Sequence, residues 1–180
     1  MEVGQEVLRI SSHPLHEWVK EVADTFQTAS KAKNIEISYS FDEQIQSVAY
    51  DDTKCRVVLS NLLMNALKYS PNNSRILIKT LRTDESIQVL VQDQGIGLEH
   101  VDITKLFTRF YQGKHSQGGS GIGLSYAKML IDLHGGRIGA FNNEDRGATF
   151  FYELPANLQE QEVSCPQHSY LNELLKAPIL

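Results

Sequence analysis

The sequence predicts an α/β two-layer sandwich, with helices packed on one face of a mixed, largely antiparallel sheet. Three observations carry this reading. Segments of helical and of strand periodicity alternate along a chain of 180 residues, which is enough for one domain with a real core. The strand candidates come largely as hairpins, Ser74 to Leu81 with Ser86 to Gln92 and Arg137 to Phe141 with Ala148 to Leu154, so the fold is not doubly wound. A central helix has two unlike faces. Leu62, Leu63, Ala66 and Leu67 form an apolar stripe, while Asn61, Asn65, Lys68 and Tyr69 follow i, i+4, i+7 and i+8 spacing on the other side.

The elements follow in order. Glu6 to Ile10 is a short strand candidate. Leu15, Trp18, Val19, Val22, Phe26 and Ala29 keep helical spacing, which predicts one helix from Pro14 to Lys33, with proline in the first turn and Asn34 as the stop. Ile35, Ile37, Tyr39 and Phe41 alternate as a strand, and Gln46 to Tyr50 is another. Asp51 and Asp52 cap the central helix, which ends at Tyr69-Ser70-Pro71. The first hairpin turns at Thr83-Asp84-Glu85 and runs into the glycine turn Asp93-Gln94-Gly95-Ile96-Gly97. Ile103 to Phe107 is predicted as a short helical piece. Gly113 to Ser120 is polar and glycine-rich and reads as a mobile loop. Ile122 to His134 is a helix stopped by Gly135-Gly136. After Pro155 the pattern decays. Residues 1–155 therefore read as one domain and 156–180 as a linker or tail, with at most a short helix at Tyr170 to Lys176.

Composition narrows the function. The formal net charge of −5 leaves no basic footprint for nucleic acid or for an anionic membrane surface. No apolar run is long enough to span a bilayer, and the N-terminus lacks the pattern of a signal peptide. Cys55 and Cys165, far apart and in unlike contexts, argue against a disulfide framework and for a reducing cytosol. His100, His115, His134 and His168 have no metal-ligand spacing with one another.

Two glycine clusters carry the chemistry. Gly118-Gly119-Ser120-Gly121-Ile122-Gly123-Leu124 leads directly into a helix, where free N–H groups and the helix dipole favour an anion. It is not a Walker motif, because no glycine-lysine-serine/threonine follows. Asp93 ends an apolar strand beside two glycines; it can accept a hydrogen bond from a ligand amine, or simply bond its own turn.

Taken in order, these motifs define a resemblance. An asparagine helix is followed by Asp-x-Gly-x-Gly, Leu-Phe-x-x-Phe, Gly-x-Gly-x-Gly-Leu before a helix, and Gly-Ala-Thr-Phe on a strand. This series resembles the ATP-binding catalytic domain of sensor histidine kinases, in the gyrase, HSP90, histidine kinase and MutL superfamily, over about residues 6–155. The resemblance implies the Bergerat-type ATP-binding fold and Mg-ATP as ligand. It implies Asn65 as the magnesium ligand, Lys68 on the phosphates, Tyr69 lining the adenine site and Asp93 reading the adenine amine. Gly95 and Gly97 would shape that turn, and Gly119, Gly121 and Gly123 the phosphate end. Phe107 and Phe110 would anchor the lid, and Thr149 would support the adenine. Asn61, Tyr111, Ile122 and Leu124 complete the implied nucleotide-binding set.

Two departures qualify the match. Many members carry arginine after the lid tyrosine, whereas Gln112 follows Tyr111; Arg109 is a candidate substitute or a surface charge. The family's phospho-acceptor histidine has an acidic residue after it in a helical hairpin, and neither His13 nor His16 does, so both read as surface histidines. The implied function is a kinase domain that gives the γ-phosphate to a histidine in a separate dimerisation and phospho-acceptor domain, upstream of a response regulator or receiver domain. It would work in the cytoplasm without touching nucleic acid or membrane, even in an inner-membrane sensor. Two rivals remain: an ATPase of the gyrase or MutL kind, and a degenerate nucleotide-binding regulatory module. Position 61 bears on the first rival, because the hydrolysing relatives carry glutamate one turn before the magnesium asparagine and here it is Asn61.

Overall fold

The computed structural model describes residues 7–99, 101–112 and 120–164. Strand β1 (Val7–His13) buries Leu8 and Ile10 by simple alternation. Helix α1 (Leu15–Asp24) turns Leu15, Trp18, Val19, Val22 and Ala23 inward. The single helix expected over 14–33 is broken. Thr25 and Phe26 donate their N–H groups to Val22 and Ala23 three residues back, and the Thr25 hydroxyl also donates to the Val22 carbonyl at 2.7 Å. The tightened turn shifts the helical phase. Helix α2 (Gln27–Ala32) consequently buries Ser30 and exposes Ala29, which an unbroken helix would have buried. Asn34 is the stop, in the left-handed region at φ 51°.

Strands β2 (Glu36–Ser40) and β3 (Val48–Tyr50) lead to the central helix α3 (Asp52–Tyr69). Asp51 caps it: Oδ1 accepts the Lys54 N–H at 3.0 Å, and Oδ2 accepts the Arg9 N–H at 2.8 Å. One carboxylate thus fixes both the start of α3 and strand β1. Strands β4 (Arg75–Arg82) and β5 (Ser86–Gln92) form the expected hairpin. Helix α4 (Gly123–Leu133) and strands β6 (Arg137–Asn142) and β7 (Ala148–Pro155) follow.

Five strands pair in the order β2-β4-β5-β7-β6, parallel only between β2 and β4. Ile76, Ile78, Val89, Val91, Tyr152 and Leu154 point to one face, where they meet the apolar sides of the helices. A second sheet pairs β3, β1 and a last strand, β8 (Gln161–Ser164), in the order β3-β1-β8. Strand β8 pairs antiparallel with β1, where the sequence had suggested only linker. Ile103 to Phe107 does not form an α-helix either. It is a run of i to i+3 turns, started by the Asp102 carboxylate accepting from the Thr104 N–H. The suggested helix at 170–176 and most of the expected lid lie outside the described residues.

Candidate functional site

The site is built where the C-terminal half of α3 meets the turn after β5. Asp93 is only 4% exposed. Its Oδ1 accepts the N–H of Gly95 at 2.7 Å and of Ala148 at 3.1 Å; Oδ2 takes part in neither bond. Burial pushes the Asp93 carboxyl above its ordinary value, against the downward pull of those two N–H groups. The turn lies directly on the end of α3: a Cβ at Gly95 would stand 2.7 Å from the Tyr69 carbonyl oxygen, so only glycine fits there. The Lys68 ammonium is 5.0 Å from the centre of the Tyr69 ring. The turn that carries Asp93 and Gly95 therefore lies on the end of the helix that carries Lys68 and Tyr69. Gly97, at φ 71°, continues the same turn.

Two asparagines missing from the sequence reading lock this turn in place. The Asn142 Oδ1 accepts the Leu98 N–H at 2.6 Å. Asn143 donates Nδ2 to the Asp93 carbonyl at 2.8 Å, and its Oδ1 accepts the Thr149 hydroxyl at 2.6 Å. Thr149 thus reaches the Asp93 turn through Asn143. The only local signal was an Asn-Asn pair in a hairpin loop, which reads as an ordinary turn.

Farther up α3, Asn65 lies half-buried, one turn (about 6 Å of rise) from Asn61. Asn61 donates Nδ2 to the Val57 carbonyl at 2.9 Å. Its Oδ1 faces the start of α4, where a Cβ at Gly123 would stand 2.5 Å away. The third group gathers beside the expected lid. The Phe110 N–H donates to the Gly121 carbonyl at 3.0 Å, which joins the residues before and after it. Gly121 has φ 67°, and a Cβ there would meet the Phe110 backbone at 2.8 Å. Phe107 packs against the core, whereas the Phe110 ring is 62% exposed and is held through its backbone. The Tyr111 hydroxyl accepts the Asp102 N–H at 2.8 Å. Leu124 is half-buried and Ile122 exposed at the entry to α4. Gly119 lies outside the described residues. The Nη2 atom of Arg109 is buried without a hydrogen-bond partner among the described residues, so Arg109 is not a simple surface charge.

The histidines differ from expectation. His16 is partly buried, stacks on Phe41 with ring centres 4.4 Å apart, and lies 3.1 Å from the Thr80 hydroxyl. His13 pairs with the Ser11 hydroxyl at 2.8 Å on strand β1. No group of three metal-ligating side chains occurs among the described residues. No helix among them is long and apolar enough to cross a membrane.

Residues 50–158 match the family described as Histidine kinase-, DNA gyrase B-, and HSP90-like ATPase, and the chain belongs to it. Its relatives within that family include sensor histidine kinases, and its structural neighbours include a histidine kinase catalytic domain. The sensor histidine kinase WalK of Bacillus subtilis (strain 168) is 34% identical over 158 residues, covering 81% of this chain and 26% of that protein. The sensor histidine kinase CusS of Escherichia coli (strain K12) is 34% identical over 142 residues, 77% of this chain and 29% of that protein. The chain thus spans little more than a quarter of either relative. The solved catalytic domain of histidine kinase ThkA superposes with a TM-score of 0.73 at 29% identity, covering 82% of this chain and 97% of that one. ThkA in complex with the response regulator protein TrrA gives 0.72 at 27% identity, over 83% of this chain and 42% of that one.

Proposed function

We propose that this domain binds Mg-ATP and presents the γ-phosphate to a histidine of a separate dimerisation domain, as the catalytic unit of a two-component sensor kinase. The observation that carries the reading is Asp93. A buried carboxylate, fixed through one oxygen by two backbone N–H groups, leaves its other oxygen as an acceptor for an adenine amine. Tyr69, whose carbonyl packs against the Asp93 turn, supplies an aromatic ring, and Lys68 a cation for phosphate. The first turn of α4, entered through Gly121 and Gly123, offers N–H groups to anionic oxygens. Asn65 is the residue on this face of α3 suited to magnesium, which takes few protein oxygens and supplies charge neutralisation at the phosphates.

The same parts explain what the domain should not do. Asn61 holds the position from which a base would activate water, yet a carboxamide cannot take a proton, and its amide is already committed to Val57. ATP is therefore kept intact until the partner histidine attacks. From that histidine the phosphoryl group passes to a response regulator. The reading puts the domain in the cytoplasm, whether or not the parent kinase is anchored in the inner membrane. The ATP-binding unit extends past residue 155 to include β8, because Gln161–Ser164 pairs with β1.

Calorimetric titration with Mg-ATP and Mg-GTP tests this. ATP should bind and GTP much more weakly, because GTP presents a carbonyl where Asp93 needs a donor. No binding of either would reduce the chain to a regulatory module. Binding coupled to fast hydrolysis would make it an ATPase.

A further inference from the structure

The C-terminal end of α3 stops without a glycine. Ser70 is extended and Pro71 follows, so no left-handed residue turns back to satisfy the last carbonyls. Lys33, at the end of α2, supplies the cap instead. Its Nζ lies 2.6 Å from the Leu67 carbonyl oxygen, 2.7 Å from that of Ser70 and 3.4 Å from that of Lys68. An ammonium has three donors, and three carbonyls meet it at the negative end of the helix dipole. The backbone of Lys33 is fastened to the same region. Its carbonyl accepts the Asn73 N–H at 3.0 Å, and the neighbouring Asn34 donates to the Asn73 side chain at 2.7 Å. The ammonium is thus anchored at both ends of its stem.

Between the capped carbonyls lies Tyr69, and on the Tyr69 carbonyl rests the turn that holds Asp93. A Cβ at Gly95 would stand 2.7 Å from that oxygen, so the turn packs closely on the helix end. The Gly95 N–H in turn fixes the Asp93 Oδ1. Close packing and this hydrogen bond give a shift of the last carbonyls of α3 a short route to the carboxylate.

We propose that Lys33 is a positioning residue for adenine recognition: by capping α3 from another element it sets the place of the Asp93 carboxylate. The proposal rests on the ATP reading of this site. Lys33→Met keeps the apolar stem and removes the donors; Lys33→Arg keeps a cation. The expected result for folded Lys33→Met is affinity about fivefold or more weaker, the low end of coupling between linked sites. Mg-ATP and Mg-ADP should lose the same factor, because the adenine end has moved and not the γ-phosphate end. Lys33→Arg should restore most of the loss, and the Gly95 amide resonance should shift in ligand-free Lys33→Met. A purely structural cap would lower the unfolding midpoint while leaving the affinity of the folded protein and the Gly95 resonance unchanged, which overturns the proposal. Loss for ATP without loss for ADP overturns it too. If Lys33→Met does not fold, Lys33→Gln, whose shorter, uncharged amide cannot reach all three carbonyls, is read in its place, and wild-type affinity there is equally fatal. A wild-type protein that binds no nucleotide would instead refute the ATP reading, leaving the Gly95 resonance to judge Lys33.

Discussion

Asp93→Asn separates recognition from folding at the centre of the site. Asparagine keeps a carbonyl oxygen at the Oδ1 position, so the bonds from Gly95 at 2.7 Å and Ala148 at 3.1 Å both survive. The change falls on the other atom, where an NH₂ donor replaces the oxygen that would accept from the adenine amine. A ligand donor left facing a donor costs about 1–3 kcal/mol. At about 1.4 kcal/mol per tenfold, that is roughly 5- to 150-fold in affinity. Stability moves the other way. Burial raises the Asp93 carboxyl above its ordinary value of 3.8, so the ionised group weighs against the fold at neutral pH, and a neutral side chain relieves that cost. The variant should therefore melt no lower than wild type while binding Mg-ATP more weakly in calorimetry. Wild-type affinity would remove Asp93 from the adenine site; an unfolded variant would mean the charge itself is structural.

Two further outcomes follow from the same geometry. Gly95→Ala puts a Cβ 2.7 Å from the Tyr69 carbonyl oxygen, so the turn must lift from α3; a loss of about 1–3 kcal/mol in urea unfolding, together with weaker Mg-ATP binding, is expected, and unchanged values for both would contradict the tight contact. His134 is buried and neutral, donating Nδ1–H to the Leu130 carbonyl at 2.7 Å and accepting the Asp51 N–H on Nε2 at 3.1 Å, with Cys55 beside it. Burial lowers its pKa below 6.5, so its contribution is complete above pH 6.5 and is lost as the pH falls through the lowered value. Burial alone would raise the Asp51 carboxyl, but the N–H groups of Arg9 and Lys54 bring it below 3.8, so its own loss begins only under that value. Urea unfolding from pH 7 to pH 4 should show the earlier loss in wild type and not in His134→Gln; identical profiles would exclude His134 as the cause.

The sequence was most legible where the chemistry is local. The Asp51 cap, the stop at Asn34 and the amphipathic stripe of α3 depend on neighbours within a turn or two, so residue type and spacing sufficed. The break at Thr25 was hidden because no glycine or proline marks it and Phe26 and Ala29 continue the period by chance. Strand β8 was hidden because Gln161–Ser164 becomes a strand only by pairing with β1 at the other end of the chain. The site divides the same way. Asp93 and its glycines announced themselves as a turn, whereas Asn142 and Asn143 act on partners 44 and 50 residues away, and Lys33 on carbonyls 34 to 37 residues away. No local pattern encodes such contacts.

The property proposed for this domain is to hold ATP unhydrolysed for an external histidine. It is tested most directly by incubating the chain with Mg-ATP labelled in the γ-phosphate, alone and with the dimerisation domain proposed as its partner. Acid-labile label on a histidine of the added domain, none on this chain, and little free phosphate from the chain alone are expected. Steady phosphate release by the chain alone at roughly 1 s⁻¹ or faster, with no label on the added domain, would contradict it.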